Sequence, residues 1–190
     1  MTKIFIALPV KEKIMARTVA CIINNISFLN EKGIKNDIYF GEGTLVPRVR
    51  TGLLDKFKKE ESFTHIVFID SDQTFDKDYI YKLVSYDKDV VGFPSKIRGG
   101  AAYNVYTKKD GDIIYKPSEE KQTTGLTKVD AIGFGMVCIK RDITFFFDKI
   151  EMTNSMSEDI YFCFKCKEHN IDIWADWDNI IGHLVTMELK

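Results

Sequence analysis

Polar and apolar positions along the chain fall into two kinds of run. "KIFIAL", "NDIYF", "THIVFID" and "KDVVGF" are compact apolar stretches of strand length. Between them lie "KIMARTVACIINNISFLNEKG", which closes on Gly33, then "LVPRVRTGLLDKFKKEE" and "DKDYIYKLVSY", with apolar residues at helical spacing. Strands alternating with helices from residue 3 to about residue 93 predict an α/β fold, with a parallel sheet and right-handed crossovers. "THIVFID" reads as a strand buried on both faces. In such sheets ligands gather outside the carboxyl ends of the strands. The first strand ends at Leu8 and Pro9 and the third at Asp70, so both point to one edge.

From residue 94 the rhythm changes. "AAYNVYTKKDGDIIYK" has two β-rich runs around Asp110 and Gly111, a hairpin signal. "KPSEEKQTTGL" reads as a mobile polar loop. "KVDAIGFGMVCIKRD" resumes strand character, with Gly133 and Gly135 placed where absent side chains let a ligand or another backbone come close. "SEDIYFCFKCKEHN" is the last clear helix, "IDIWAD" a strand, and "NIIGHLVTMELK" a short terminal strand or tail.

A chain of 190 residues suits one sizeable core, so residues 1–190 are expected to form a single domain. A formal net charge of −1 asks for no nucleic-acid partner. The apolar run in "MTKIFIALPVKEK" is too short for a signal segment or a membrane span, which places the protein in a cytoplasm. Four cysteines fit a reducing compartment, and Cys163 and Cys166 read as two small core residues on a helix face.

The candidate chemistry sits where "THIVFID" runs into "SDQTFDKDYI". Asp76 is placed as a helix N-cap and Asp78 in the first turn, which leaves Asp70 and Asp72 unexplained at the mouth of a buried strand. An EF-hand loop would need Gly and Glu where the chain has Phe75 and Tyr81, so that reading fails. What stays is a D-x-D suited to Mg²⁺ or Mn²⁺ shared with substrate phosphates. The first strand-to-helix turn has no G-x-G-x-x-G and no Walker sequence, so phosphates need metal and side chains. Candidate cations lie in "VPRVRTG", with Arg48 and Arg50, and in "FPSKIR", with Lys96 and Arg98. His183 could join them, although a lone histidine is more often a satisfied core or surface residue. In "SMSEDIYF", Ser155 and Glu158 fit a capping box, which leaves Asp159 free to take a proton from a nucleophile.

Taken together, "IFIALP", "VPRVRTGLLDKF", "THIVFIDSDQTFDKDYIYKLV", "KDVVGFPSK", "VDAIGFGMVCIKRDI", "SEDIYFCFK" and "IWADWDNIIGH" resemble, in order and over nearly the whole chain, the small GT-A-fold nucleotide-sugar glycosyltransferases. The likeness is greatest to the compact family-2-like forms of large DNA viruses and phages, for which the compartment is the host cytoplasm. The resemblance implies a Rossmann-like mixed sheet, mostly parallel in its N-terminal half, with helices on both faces. Residues 1–93 would form the nucleotide-binding half and 94–190 the acceptor-side, metal-completing half. It implies that Asp72 ligates the metal, that Asp70 contacts the nucleotide or a metal-bound water, and that His183 completes the coordination. It further implies Asp159 as general base, and Pro9, Ser71, Arg50 and Lys96 along the nucleotide-diphosphate pocket. Relatives commonly carry Arg-Asn where this chain has Arg50-Thr51, and Arg48 is the alternative cation.

The expected activity is metal-dependent, inverting transfer of a hexose from a nucleotide diphosphate sugar, with UDP-sugar as donor, to a hydroxyl of a glycan or glycoprotein. Two alternatives share the D-x-D and the α/β order: a metal-dependent nucleotidyltransferase or phosphohydrolase, and a non-catalytic sugar-binding relative.

Overall fold

The computed structural model describes residues 1–108, 115–121 and 123–185. The first part of the chain forms β1 (Lys3–Val10), α1 (Ala16–Glu31), β2 (Lys35–Glu42), α2 (Val46–Lys59), β3 (His65–Ile69), β4 (Gln73–Thr74), α3 (Tyr79–Ser85) and β5 (Val90–Gly92). After these come β6 (Tyr103–Thr107), β7 (Lys116–Ser118), β8 (Leu126–Val129), β9 (Ala131–Ile132) and β10 (Met136–Lys140). The remaining elements are α4 (Arg141–Thr144), α5 (Glu158–Glu168), β11 (Ile173–Asp176) and β12 (Gly182–His183).

Seven strands form the main sheet in the order β2-β1-β3-β10-β5-β11-β8. β1 runs parallel to β2 and β3, and β5 parallel to β11. β10 lies antiparallel between β3 and β5, and β8 antiparallel to β11. The sheet is mixed, with β10 and β8 opposed to the other strands and the N-terminal β1, β2 and β3 mutually parallel, as expected. β4 pairs with β12, and β6 lies between β7 and β9.

Alternation along β1 shows why helices cover both faces. Phe5 and Ala7 pack with Leu53 and Phe57 of α2 and Ile160 of α5, whereas Ile4, Ile6 and Leu8 pack with Ile22 of α1 and Leu83 of α3. All five of these β1 side chains are 0% exposed. Each buried Leu, Ile or Phe contributes about 1.5–3 kcal/mol relative to an exposed one, so the strands under the site form a rigid base. Pro9 sits beyond Ala7, the last β1 residue paired with β3, and faces only Gly41 of β2. A residue without an N–H is tolerated there because that side of the strand is no longer paired. Gly33, at φ 69°, provides the left-handed turn after α1.

Several local expectations change. The N-cap of α3 is Asp78, not Asp76, and Asp78 pairs with Lys82 one turn on. The N-cap of α5 is Ser157, so Ser155 and Glu158 do not form a capping box. In "KPSEEKQTTGL" the first three residues form β7, which pairs with β6; the Asp110–Gly111 turn between them lies outside the described residues. Cys163 and Cys166 are free and buried in the core. No helix among the described residues is long and apolar enough to cross a membrane.

Candidate active site

β3 ends at Ile69, and Asp70 continues its alternation onto the face where Ile66 and Phe68 meet α2 and α5. The buried residues of α2 are Arg50, Leu53, Leu54 and Phe57, a single i, i+3, i+4, i+7 stripe. Arg50 is thus carried into the core by the stripe that buries the leucines, and Arg48 falls outside it.

Arg50 bonds two carboxylates. Its Nη2 donates to Asp70 Oδ1 at 2.6 Å and its Nη1 to Glu158 Oε1. The Arg50 side chain is 4% exposed, and its guanidinium lies 5.2 Å from the centre of the Phe134 ring. Burial works to lower the guanidinium pKa, but the charges of Asp70, Glu158 and Asp159 outweigh it, and the value is raised. Burial raises the Glu158 carboxyl against the pull of Arg50.

Asp159 follows Glu158 at the start of α5. Its Oδ1 accepts from the Ser157 hydroxyl and from the Ile160 N–H at 2.8 Å. A Cβ on Gly133 would stand 3.2 Å from Asp159 Oδ2 and 2.9 Å from Asn104 Nδ2. Gly135 accepts the Asp70 N–H on its carbonyl at 3.0 Å, and a Cβ there would meet Gln73 and Ser95 at 3.4 Å. The two glycines read as points of close approach let the strand end and the helix start converge, with the Phe134 ring between them.

Asp72 lies in a second cluster, whose arginine is exposed. Its Oδ2 accepts from Arg98 Nη2 at 2.6 Å and stands 3.2 Å from His183 Nε2, and its Oδ1 accepts from Gln73 Nε2 at 3.3 Å. β12 places His183: it pairs with Gln73 in β4, and the Leu184 N–H donates to the Asp72 carbonyl at 2.8 Å. His183 Nδ1 lies 2.9 Å from the Lys96 carbonyl, which can only accept, so Nδ1 carries a proton and Nε2 faces Asp72. The hydrogen bond from His183 to Asp72 outweighs burial and raises the imidazole pKa. For Asp72, burial raises the pKa, but the bonds from His183 and Arg98 prevail and lower it.

The other expected residues are more dispersed. Ser71 accepts the Met15 N–H on its carbonyl at 2.9 Å and lines a cavity of about 310 Å³ with Lys11, Glu12, Lys13, Asp72 and Arg98. Pro9 is buried in β1 at the same sheet edge. Lys96 contributes its backbone to the site, while its ammonium lies 3.6 Å from the Tyr103 ring centre and donates to the Ala101 carbonyl. Arg48 is exposed and lines other cavities, with Phe40 and Val49 and with Ile150 and Met152. Arg98 belongs to the "FPSKIR" stretch of candidate cations. Lys11 and Lys13 sit in an aperiodic loop where no pattern marks them, and the spacing of Glu158 from Ser155 reads as a cap and not as an ion pair.

No group of three His, Cys, Asp or Glu residues able to hold a metal occurs among the described residues. The donor set nevertheless fits Mn²⁺ or Mg²⁺ partly supplied with oxygens by a substrate, since Asp72 Oδ2 and His183 Nε2 converge and Asp72 already attracts two cationic groups.

No family model and no curated protein matches the sequence. Solved structures do match in fold. A197 from STIV aligns with a TM-score of 0.64 at 21% identity, over 98% of this chain and 87% of that one. GalNAc-T7, solved with UDP, GalNAc and Mn²⁺, aligns with a TM-score of 0.61 at 10% identity, over 98% of this chain, which spans only 44% of that longer one. A mutant of the Drosophila β-1,4-galactosyltransferase 7, in complex with manganese, UDP-Gal and xylobiose, aligns with a TM-score of 0.57 at 11% identity, over 98% of this chain and 72% of that one. The chain has the Rossmann-like GT-A fold that these glycosyltransferases share.

Proposed function

We propose that the protein is a metal-dependent, inverting glycosyltransferase that moves a hexose from a nucleotide diphosphate sugar, a UDP-sugar as first candidate, to a hydroxyl of a glycan or glycoprotein. One observation carries this reading. A single guanidinium, Arg50, ties Asp70 at the strand end leading to Asp72 to Glu158 at the helix start bearing Asp159. Cation-holding and proton-accepting carboxylates are thereby joined at one sheet edge. The fold neighbours solved with UDP or UDP-Gal and manganese support the donor and metal classes.

In this reading Asp72 and His183 hold the cation, and Lys11, Lys13 and Ser71 line the diphosphate cavity. The metal, when bound, supplies Lewis acidity for the charge developing on the departing diphosphate. Asp159 Oδ1 is occupied by Ser157 and Ile160, which leaves Oδ2 to take the acceptor's proton as its oxygen attacks the anomeric carbon. Arg50 is a positioning residue in this scheme, since both its Nη atoms are committed to carboxylates. Residues 1–93 serve the nucleotide, and 94–190 the acceptor and the completion of the metal site, within one domain.

Thermal unfolding with UDP, GDP, CDP and ADP, each with and without Mn²⁺, tests the donor assignment. A ligand at about 100 times its Kd stabilises by about 2.7 kcal/mol, or about 5–11 °C for this size. One nucleotide is expected to give such a shift, with Mn²⁺ only; no shift with any of them removes the proposal. Asp159→Asn is expected to abolish transfer and leave donor affinity nearly intact, and loss of donor binding would make Asp159 a structural residue instead.

A further inference from the structure

Two basic side chains share one oxygen of the Asp72 carboxylate. Arg98 Nη2 is 2.6 Å from the same oxygen, Oδ2, that His183 Nε2 approaches at 3.2 Å. His183 Nε2 faces Oδ2, so a cation held by both side chains takes that oxygen. A divalent ion and a guanidinium on one carboxylate oxygen repel each other, and the mobile one must leave. Arg98 is built to do so, because its side chain is 64% exposed. Its backbone stays anchored, with the Ile97 N–H donating to the Ala102 carbonyl at 2.9 Å and the Gly100 N–H to the Ile97 carbonyl at 3.0 Å. The motion required is a rotamer change. Arg98 lines the cavity shared with Lys11, Glu12, Lys13 and Ser71.

We propose that Arg98 exchanges partners: it neutralises Asp72 in the nucleotide-free protein and passes to the donor's diphosphate when metal and nucleotide bind together. The proposal rests on the metal and donor reading given above. A guanidinium fork suits the paired oxygens of a diphosphate, and releasing Asp72 only when those oxygens arrive couples metal binding to donor binding. Arg98 thereby opposes Mn²⁺ alone and favours Mn²⁺ with nucleotide.

That double role predicts effects of opposite sign from one substitution. Mn²⁺ binding without nucleotide is followed by the paramagnetic resonance of the free ion. Binding of UDP, GDP, CDP and ADP at saturating Mn²⁺ is followed by calorimetry, for the wild type, Arg98→Ala, Arg98→Lys and Asp72→Ala. Arg98→Ala is expected to bind Mn²⁺ alone about threefold more tightly, since an exposed competing ion pair is lost. It is expected to bind the preferred nucleotide with Mn²⁺ about tenfold more weakly, since a charge-assisted fork is lost. Arg98→Lys, which keeps the charge without the fork, restores the Mn²⁺ affinity and only part of the nucleotide affinity. Unchanged or weaker binding of Mn²⁺ alone by Arg98→Ala, or unchanged nucleotide affinity, overturns the exchange while leaving the site reading intact. Asp72→Ala is the control for that reading: if its nucleotide binding keeps the wild-type dependence on Mn²⁺, the metal assignment falls and the exchange with it.

Discussion

The Arg50 side chain is 4% exposed and bonds both Asp70 and Glu158, whereas the Arg98 side chain is 64% exposed and, among the described residues, bonds Asp72. Both are arginine–carboxylate contacts beside one sheet edge, yet burial gives them different consequences. A guanidinium held away from water beside two carboxylates cannot leave without stranding them, so the Arg50 centre is a fixed joint between β3 and α5. An exposed pair is screened by water and contributes little to folding, so the Arg98 centre is free to change partners. Rigidity and exchange are divided between two arginines of one site, and burial assigns the parts.

The largest expected effect is on stability. Arg50→Met should destabilise the fold by about 3–5 kcal/mol in urea unfolding, because Asp70 and Glu158 lose their common partner. A loss under about 1 kcal/mol would erase the distinction between the two centres. Next comes Gly133→Ala, which tests whether the rigid centre extends to Asp159. The new methyl meets Asn104 and Asp159 Oδ2, so a loss of about 1–3 kcal/mol is expected, with transfer falling further than donor affinity. Asp72→Asn should move stability by no more than about 1 kcal/mol while removing the Mn²⁺ dependence of nucleotide binding. A large unfolding penalty there would mean that the Asp72 cluster is structural after all.

The smallest effect is a pH dependence of the His183–Asp72 pair. His183 has a raised pKa in the folded chain, with Asp72 and Arg98 as the charges facing it. Its contribution to the metal-free protein is therefore full below the ordinary histidine value of about 6.5 and is lost as pH rises through the raised value. The stability difference between the wild type and His183→Asn should shrink over that interval, and a difference that grows would reverse the assignment. The Arg50 guanidinium stays protonated throughout and should show no such slope.

Much of this was legible in the chain. The i, i+3, i+4, i+7 stripe that buries Leu53, Leu54 and Phe57 passes through Arg50 and not Arg48, so helical periodicity separates two arginines that charge alone does not. The alternation of β3 likewise aims Asp70 at α2 and α5. Glu158 shows where a local rule yields. Its spacing from Ser155 satisfies a capping box, but the helix starts at Ser157 and Glu158 pairs with an arginine 108 residues away. A charge beside a buried guanidinium gains more from that contact than from a cap at a half-exposed helix end.

By itself the sequence determined the strand and helix order, the two-faced core, the sheet edge at which carboxylates collect, and the candidacies of Asp70, Asp72 and Asp159, because periodicity and residue chemistry are local properties. Only the tertiary structure decided that β10 enters antiparallel between β3 and β5, that Glu158 shares Arg50 with Asp70, and that Arg98 pairs with Asp72 beside a cavity lined by Lys11 and Lys13. These depend on which distant segments the two core faces bring together. Loop side chains carry no period from which that meeting could be read.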